Sequence, residues 1–208
     1  MKVAYFAESP ADQAALTILT EAILGRNTEP VIHAGLRHRG WPTVRTVLRS
    51  VLLELHYHTD AEGFVLIVDS NGSPTHSAAH ANLPESKCRL CQLQRIVSEV
   101  RQQVRPVPNR PPLKIALGVA VPAIEAWLLC GVDPHVFEAA WFTGMKSGQM
   151  PYTKPGLKEQ LYGTSHPSLP IETEAMQIAA TRLAADFSGL RNRFPNGFGN
   201  LESDLKSW

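Results

Sequence analysis

The run GFVLIV at residues 63–68 constrains this chain more than any other feature. Six consecutive apolar residues, rich in β-branched types and without alternation, suit a strand covered on both faces, as in the centre of a parallel sheet. Parallel strands need crossover helices, and the flanking sequence supplies them. Residues 2–7 are a short apolar run and read as a buried first strand. Ser9-Pro10-Ala11-Asp12 then opens a helix, with Ser as N-cap, Pro at the first helical position and Asp in the capping-box place. Leu16, Leu19, Ile23 and Leu24 form its apolar stripe, and Gly25 ends it. Residues 29–34 read as a second strand. Residues 41–57 make the clearest amphipathic helix, with Val44, Val47, Leu48, Val51, Leu52 and Leu55 at three- and four-residue steps. Residues 87–104 read as helix, the proline-rich residues 105–112 as a rigid connector, residues 113–121 as the last strand and residues 123–130 as a buried helix.

This alternation predicts an α/β, Rossmannoid fold: a central, mostly parallel four-stranded sheet flanked by helices. Residues 1–142 are expected to form that core. Residues 143–208 are expected to form a C-terminal helical extension packed on it. Within the extension, residues 153–162 and 172–190 look helical, the pattern over residues 141–148 is weak, and the tail from Asn192 is expected to cover the sheet edge or to be mobile. A chain of 208 residues, 44% hydrophobic and 19% charged, is one compact domain or one domain with an appendage, not a disordered chain. Twenty Lys and Arg against 19 Asp and Glu leave a net charge of +1. That balance excludes a globally basic nucleic-acid coat, so any basic surface must be local. No apolar run reaches the roughly 18 residues a membrane span requires. The N-terminus reads as a strand and not as a signal peptide, so no membrane partner is expected. Three cysteines, two of them in one CxxC, do not make a secreted disulfide framework, and the expected compartment is a reducing cytoplasm.

Open α/β sheets bind ligands at the carboxyl ends of their strands. Glu8 ends the first strand, Asp69 ends the central strand, and Glu125 lies just past the last one. Three carboxylates on one edge repel one another unless a cation neutralises them, and Mg²⁺ or Mn²⁺ suits such oxygen donors. A single acid at a strand end is more often a cap or an ion-pair partner than a ligand. Glu125, set among Ile124, Trp127, Leu128 and Leu129, needs a partner or a metal. Asp12 has a complete explanation as a capping-box residue, and its place beside the same edge also makes it a candidate around a bound cofactor.

Glu8-Ser9-Pro10-Ala11-Asp12 resembles an EGxTE/EGxTD opening, Asp69-Ser70-Asn71-Gly72 resembles the DxD turn after a hydrophobic strand, and Ile124-Glu125-Ala126-Trp127-Leu128-Leu129 resembles an EAWLL helix. In this order the three motifs resemble the Toprim fold. Within it they are similar to a bacterial family of comparable length and unassigned function, related to Toprim nucleases of phage-defence systems. The likeness extends to His38-Arg39-Gly40, Lys154-Pro155 and residues 187–190. The resemblance implies a divalent-metal phosphodiester site, with Glu8 as general acid/base or ligand, Asp69 as main Mg²⁺ ligand, Glu125 as a further ligand and water as nucleophile. The chain departs from the pattern twice. Ser9 replaces a Gly, and Asn71 replaces the second Asp of DxD. Asn71 still offers a carbonyl oxygen to a cation but removes one negative charge.

Arg37, His38, Arg39, Arg45 and Arg49 cluster around the start of the second helix, where they suit either a nucleic-acid backbone or a solvated helix face. His76, His80, Cys88 and Cys91 have the ligand types of a structural Zn²⁺ site, at a spacing between the pairs that is short but feasible for a loop folding back, with a helix start at the CxxC as the competing explanation. A GxSxG or GxxxxGK[ST] motif does not occur, so nucleophile-elbow and P-loop chemistry have no support. Two functional readings follow. One is a Mg²⁺-dependent Toprim-like nuclease or phosphoryl-transfer enzyme acting on nucleic acid, in phage defence. The other is a catalytically weakened binding module on the same scaffold, working beside an ATPase or sensor protein.

Overall fold

The computed structural model describes residues 1–32, 40–76 and 87–208. Four strands, β1 (Lys2–Phe6), β2 (Glu29–Pro30), β3 (Gly63–Asp69) and β4 (Lys114–Ala120), form one sheet in the order β2-β1-β3-β4. Every pairing is parallel. Phe6 of β1 stands beside Leu66 of β3, and Asp69 of β3 stands beside Ala120 of β4. The chain turns from one side of β1 to the other between β2 and β3, so the crevice beyond the ends of β1 and β3 is the switch point of the sheet, where such folds bind ligands.

The pleat sorts the core into two layers. Val3, Tyr5, Val65, Ile67, Ala116 and Ala120 face one layer, and Ala4, Phe6, Phe64, Leu66, Val68, Leu117 and Val119 face the other. The second layer is closed by α2 (Trp41–His58) and α3 (Arg89–Gln103), through Val44, Leu48, Leu52, Leu55, Leu93 and Val97. The first is closed by α1 (Pro10–Leu24), the short α4 (Ile124–Leu128) and C-terminal helices. These are α6 (Lys154–Tyr162), α7 (Leu169–Leu183), α8 (Ser188–Arg193) and α9 (Phe198–Lys206), which follow α5 (Glu138–Ser147) in the chain. Helix α7 packs along α1, and α9 packs on β4. Among the described residues no helix is long and apolar enough to cross a membrane.

The N-terminus of α1 forms as its sequence predicts. Ser9 Oγ accepts the Asp12 N–H at 3.0 Å, Asp12 Oδ2 accepts the Ser9 N–H at 2.9 Å, and Gly25 caps the other end at φ 64°. Three elements depart from the sequence reading. Strand β2 spans only Glu29–Pro30 instead of residues 29–34, and residues 33 and 34 lie outside the described residues. Residues 172–190 are not one helix: α7 stops at Leu183, and a separate α8 begins at Ser188, whose N–H and hydroxyl donate to the Asp186 carboxylate. Residues 138–147 are a full helix, α5, although their apolar pattern is weak. The Gly- and Asn-rich tail takes the first of its two expected placements and covers the sheet edge, as helix α9. Two of its side chains close the open edge of β4. Asp204 Oδ2 accepts the Leu117 N–H at 3.0 Å, and Asn200 Nδ2 donates to the Leu117 carbonyl at 3.0 Å. An exposed strand edge is thereby satisfied.

Candidate functional site

Residues far apart in sequence meet at the carboxyl end of the sheet. Glu8 leaves β1 and turns its Oε1 onto the N–H of Asp69 at 3.2 Å, so one carboxylate ties the ends of β1 and β3 together. Asp69 Oδ2 receives the ammonium of Lys154 at 2.6 Å. Lys154 also donates to Asn71 Oδ1. Asn71 sits at φ 41° and Gly72 at φ 83°, so the chain reverses in a left-handed turn that Asn and Gly tolerate best. Arg89, the first residue of α3, donates to the Asp69 carbonyl oxygen and lies over the Trp41 ring, 4.8 Å from its centroid. Glu125 is almost fully buried, at 5% exposure. Tyr162 Oη donates to its Oε1 at 3.4 Å, and Lys158 Nζ lies 3.7 Å from the same oxygen and 3.9 Å from Glu172 Oε1.

The carboxyls share one electrostatic signature. Burial pushes Glu8, Asp69 and Glu125 above the usual carboxylate range. The charge of Asp69 adds to the rise at Glu8 and Glu125, while Lys154 opposes it at all three. Asp12 is pushed furthest, to about 8, by burial and then by the charges of Asp69 and Glu125. Its Oδ2 accepts the Ser9 N–H, which leaves Oδ1 to carry the proton. Asp12 is thus both the capping residue and a member of the acidic edge.

A pH dependence of stability follows. An acid raised from 3.8 in the unfolded chain to about 8 in the native one binds more protons when folded across that window. Its contribution is therefore most favourable at low pH and is lost as pH rises from 3.8 to about 8. The other three carboxyls act in the same direction. Asp12→Asn keeps a cap acceptor and removes the titration. The variant is expected to melt at least about 5 °C above the wild type at pH 8 and to show a flatter pH profile. Melting curves from pH 5 to pH 9 measure this; an unaltered profile would mean that native Asp12 is ionised throughout.

Beside this edge lies a second group of different chemistry. Residue 76 and the first turn of α3 bring His76, Cys88 and Cys91 together, with their donor atoms all within 4.8 Å of one another. Burial pushes the Cys88 thiol up to about 11. Among the described residues this is the one trio of His, Cys, Asp or Glu that close, and it could hold a metal ion. The carboxylates of Glu8, Asp12, Asp69 and Glu125 are more widely spaced, with Lys154 among them. Their oxygens still fit Mg²⁺, which keeps several waters and takes only one or two carboxylates directly.

The predicted residues divide accordingly. Glu8, Asp12, Asp69, Asn71 and Glu125 gather at one edge, and His76, Cys88 and Cys91 at its side. Arg45 and Arg49 are exposed on α2, where Arg49 donates to Gln103 Oε1. Arg37, His38, Arg39 and His80 lie outside the described residues. Sequence reasoning assigned no site role to Lys154, Lys158, Tyr162 or Arg89. For Lys154 a signal existed: a cation in the first turn of a helix opposes the helix dipole and needs an anionic partner elsewhere. Compared with known protein families, with curated proteins and with solved structures, the chain finds no match in any of the three.

Proposed function

We propose that the chain is a Mg²⁺- or Mn²⁺-dependent phosphoryl-transfer enzyme of Toprim type, acting as a nuclease. The observation that carries this reading is the set of four buried or half-buried carboxyls with raised pKa at the switch point of a parallel sheet, with Lys154 and Arg89 beside them. Asp69, Glu8, Glu125 and the Asn71 carbonyl oxygen are the donors that would hold the cation. When bound, a divalent ion supplies positive charge for a phosphate and lowers the pKa of a ligating water. The remaining roles belong to the chain itself. Glu8 is raised, so its carboxylate takes a proton more readily than a surface acid does, as a general base requires. The Lys154 ammonium and the Arg89 guanidinium offer fixed positive charge to a phosphate oxygen. Asp12, protonated near neutral pH, limits the negative charge that a polyanionic substrate meets.

Nucleic acid is the substrate class we assign, in a reducing cytoplasm and in phage defence, with Arg45 and Arg49 as backbone contacts. A second reading is favoured by one observation. Asn71 is neutral, and Lys154 bridges it to Asp69, so a cation already occupies this pair. On that reading the chain is a weakened, binding-only module that works beside an ATPase or sensor protein. The experiment is incubation of the purified chain with single- and double-stranded DNA and RNA, with Mn²⁺, Mg²⁺ or chelator. Chelator-sensitive cleavage is the expected result. Absence of cleavage on all four substrates, together with cleavage or tighter Mn²⁺ binding in Asn71→Asp, would establish the second reading instead.

A further inference from the structure

The trio beside the acidic edge differs from it in chemistry. Two sulfurs and an imidazole nitrogen are soft donors that Mg²⁺ does not select and Zn²⁺ does. Zn–S bonds of about 2.3 Å and Zn–N bonds of about 2.0–2.1 Å, at tetrahedral angles, place sulfur about 3.6 Å from nitrogen and about 3.8 Å from the second sulfur. His76 Nδ1 lies 3.3 Å from Cys91 Sγ and 3.8 Å from Cys88 Sγ. All three donor atoms fall within 4.8 Å of one another, so an ion at their centre needs only small shifts. The cysteines are 1% and 2% exposed, and neither is in a disulfide. They stand at the N-cap and third position of α3, so helix geometry itself aims both sulfurs to one side.

We propose that His76 Nδ1, Cys88 Sγ and Cys91 Sγ bind one structural Zn²⁺ that fastens the segment after β3 to the first turn of α3. The fourth corner of the tetrahedron is left to a water or a further side chain. The location gives the ion a purpose. Arg89 lies between the two cysteines, its guanidinium donates to the Asp69 carbonyl, and its N–H donates to Ser73 Oγ at 3.0 Å. Zinc at this position holds Arg89 against the end of β3 and so stiffens one wall of the carboxylate edge. A structural zinc also contributes folding free energy directly. The competing account is that the same contacts are hydrogen bonds between imidazole and thiols with no ion.

The test is metal analysis of the chain purified under reducing conditions without chelator. About one zinc per chain is expected in the wild type and in Cys130→Ser, whose sulfur lies in the core away from the trio. Less than about a tenth of that is expected in Cys88→Ser and Cys91→Ser. Because a serine variant can lose metal by misfolding, the wild type is also stripped with chelator and refilled with Co²⁺. A thiolate-to-cobalt charge-transfer band, displaced by one equivalent of Zn²⁺, is expected. So is a melting temperature lowered by at least about 5 °C in the stripped protein. Absence of both bound zinc and the cobalt band would overturn the proposal, as would equal zinc content in all the cysteine variants. None of these readouts uses nucleic acid, so the zinc site and the phosphoryl-transfer reading stand or fall separately.

Discussion

On the proposed phosphoryl-transfer reading, Asp69→Asn and Glu8→Gln are each expected to lower metal-dependent cleavage by at least about 100-fold, with the native fold retained. The physical case rests on what each substitution keeps. Glu8→Gln preserves an oxygen that can accept the Asp69 N–H, so the link between β1 and β3 survives. Asp69→Asn preserves an acceptor for Lys154. Each removes one negative charge from an edge whose carboxyls are all pushed upward by burial, with the Asp69 charge adding to the rise at Glu8, Asp12 and Glu125. The fold therefore loses little, and neutralisation offsets part of any lost ion pair. Attraction for a divalent cation, in contrast, falls directly with each charge, and Glu8 loses its capacity to take a proton. Initial rates on the substrate cleaved best by the wild type, read beside melting curves, check this. Wild-type rates in both variants would exclude these carboxylates from the chemistry.

Trp127→Ala is expected to destabilise the chain by about 3–5 kcal/mol, with a melting temperature lowered by about 2–4 °C for each kcal/mol. Trp127 is fully buried in the layer that joins the sheet to the C-terminal helices, and its ring meets Phe198 edge to face with centroids 5.5 Å apart. Two glycines make room for it. A Cβ on Gly118 would lie 3.2 Å from the indole, and one on Gly197 would lie 3.3 Å from it and also collide with the Val119 carbonyl oxygen. The indole Nε1 has no hydrogen-bond partner among the described residues, so the side chain contributes through volume and not through its polar handle. Trp127→Phe is accordingly expected to cost less than half as much. The truncation also reaches the site, because Glu125 precedes Trp127 on the same short helix. Denaturant titration of both variants measures the difference. A loss below about 1 kcal/mol for the alanine variant would mean that the surrounding helices collapse into the vacated volume.

The sheet and its flanking helices were legible because periodicity and capping are local. The α1 cap of Ser9 and Asp12 and the left-handed Gly25 appear where the residue types alone require them. The C-terminal region was less legible. In α9 the buried Phe198, Leu201 and Leu205 are interleaved with Gly199, Asn200 and Asp204, which lower helix propensity. The last two of these are polar for a tertiary reason, since they satisfy the edge of β4. At the break between α7 and α8, Asp186 likewise accepts the Ser188 N–H at the start of the new helix, in a segment whose alanines suit continuation.

Sequence alone determined the parallel α/β architecture and the placement of Glu8 and Asp69 at strand ends and of Glu125 just past the last strand, because a strand's carboxyl end is defined by where its apolar run stops. It also marked His76, Cys88 and Cys91 by residue type and spacing. Only the tertiary structure decided which charges share that edge. Lys154 reaches Asp69 across 85 residues, and Tyr162 reaches Glu125 across 37. Asp12 became an acid raised to about 8 only once Asp69 and Glu125 stood near it in a buried setting. A pKa, an ion pair and a metal site are properties of distance and burial, and those quantities exist only after the chain has folded.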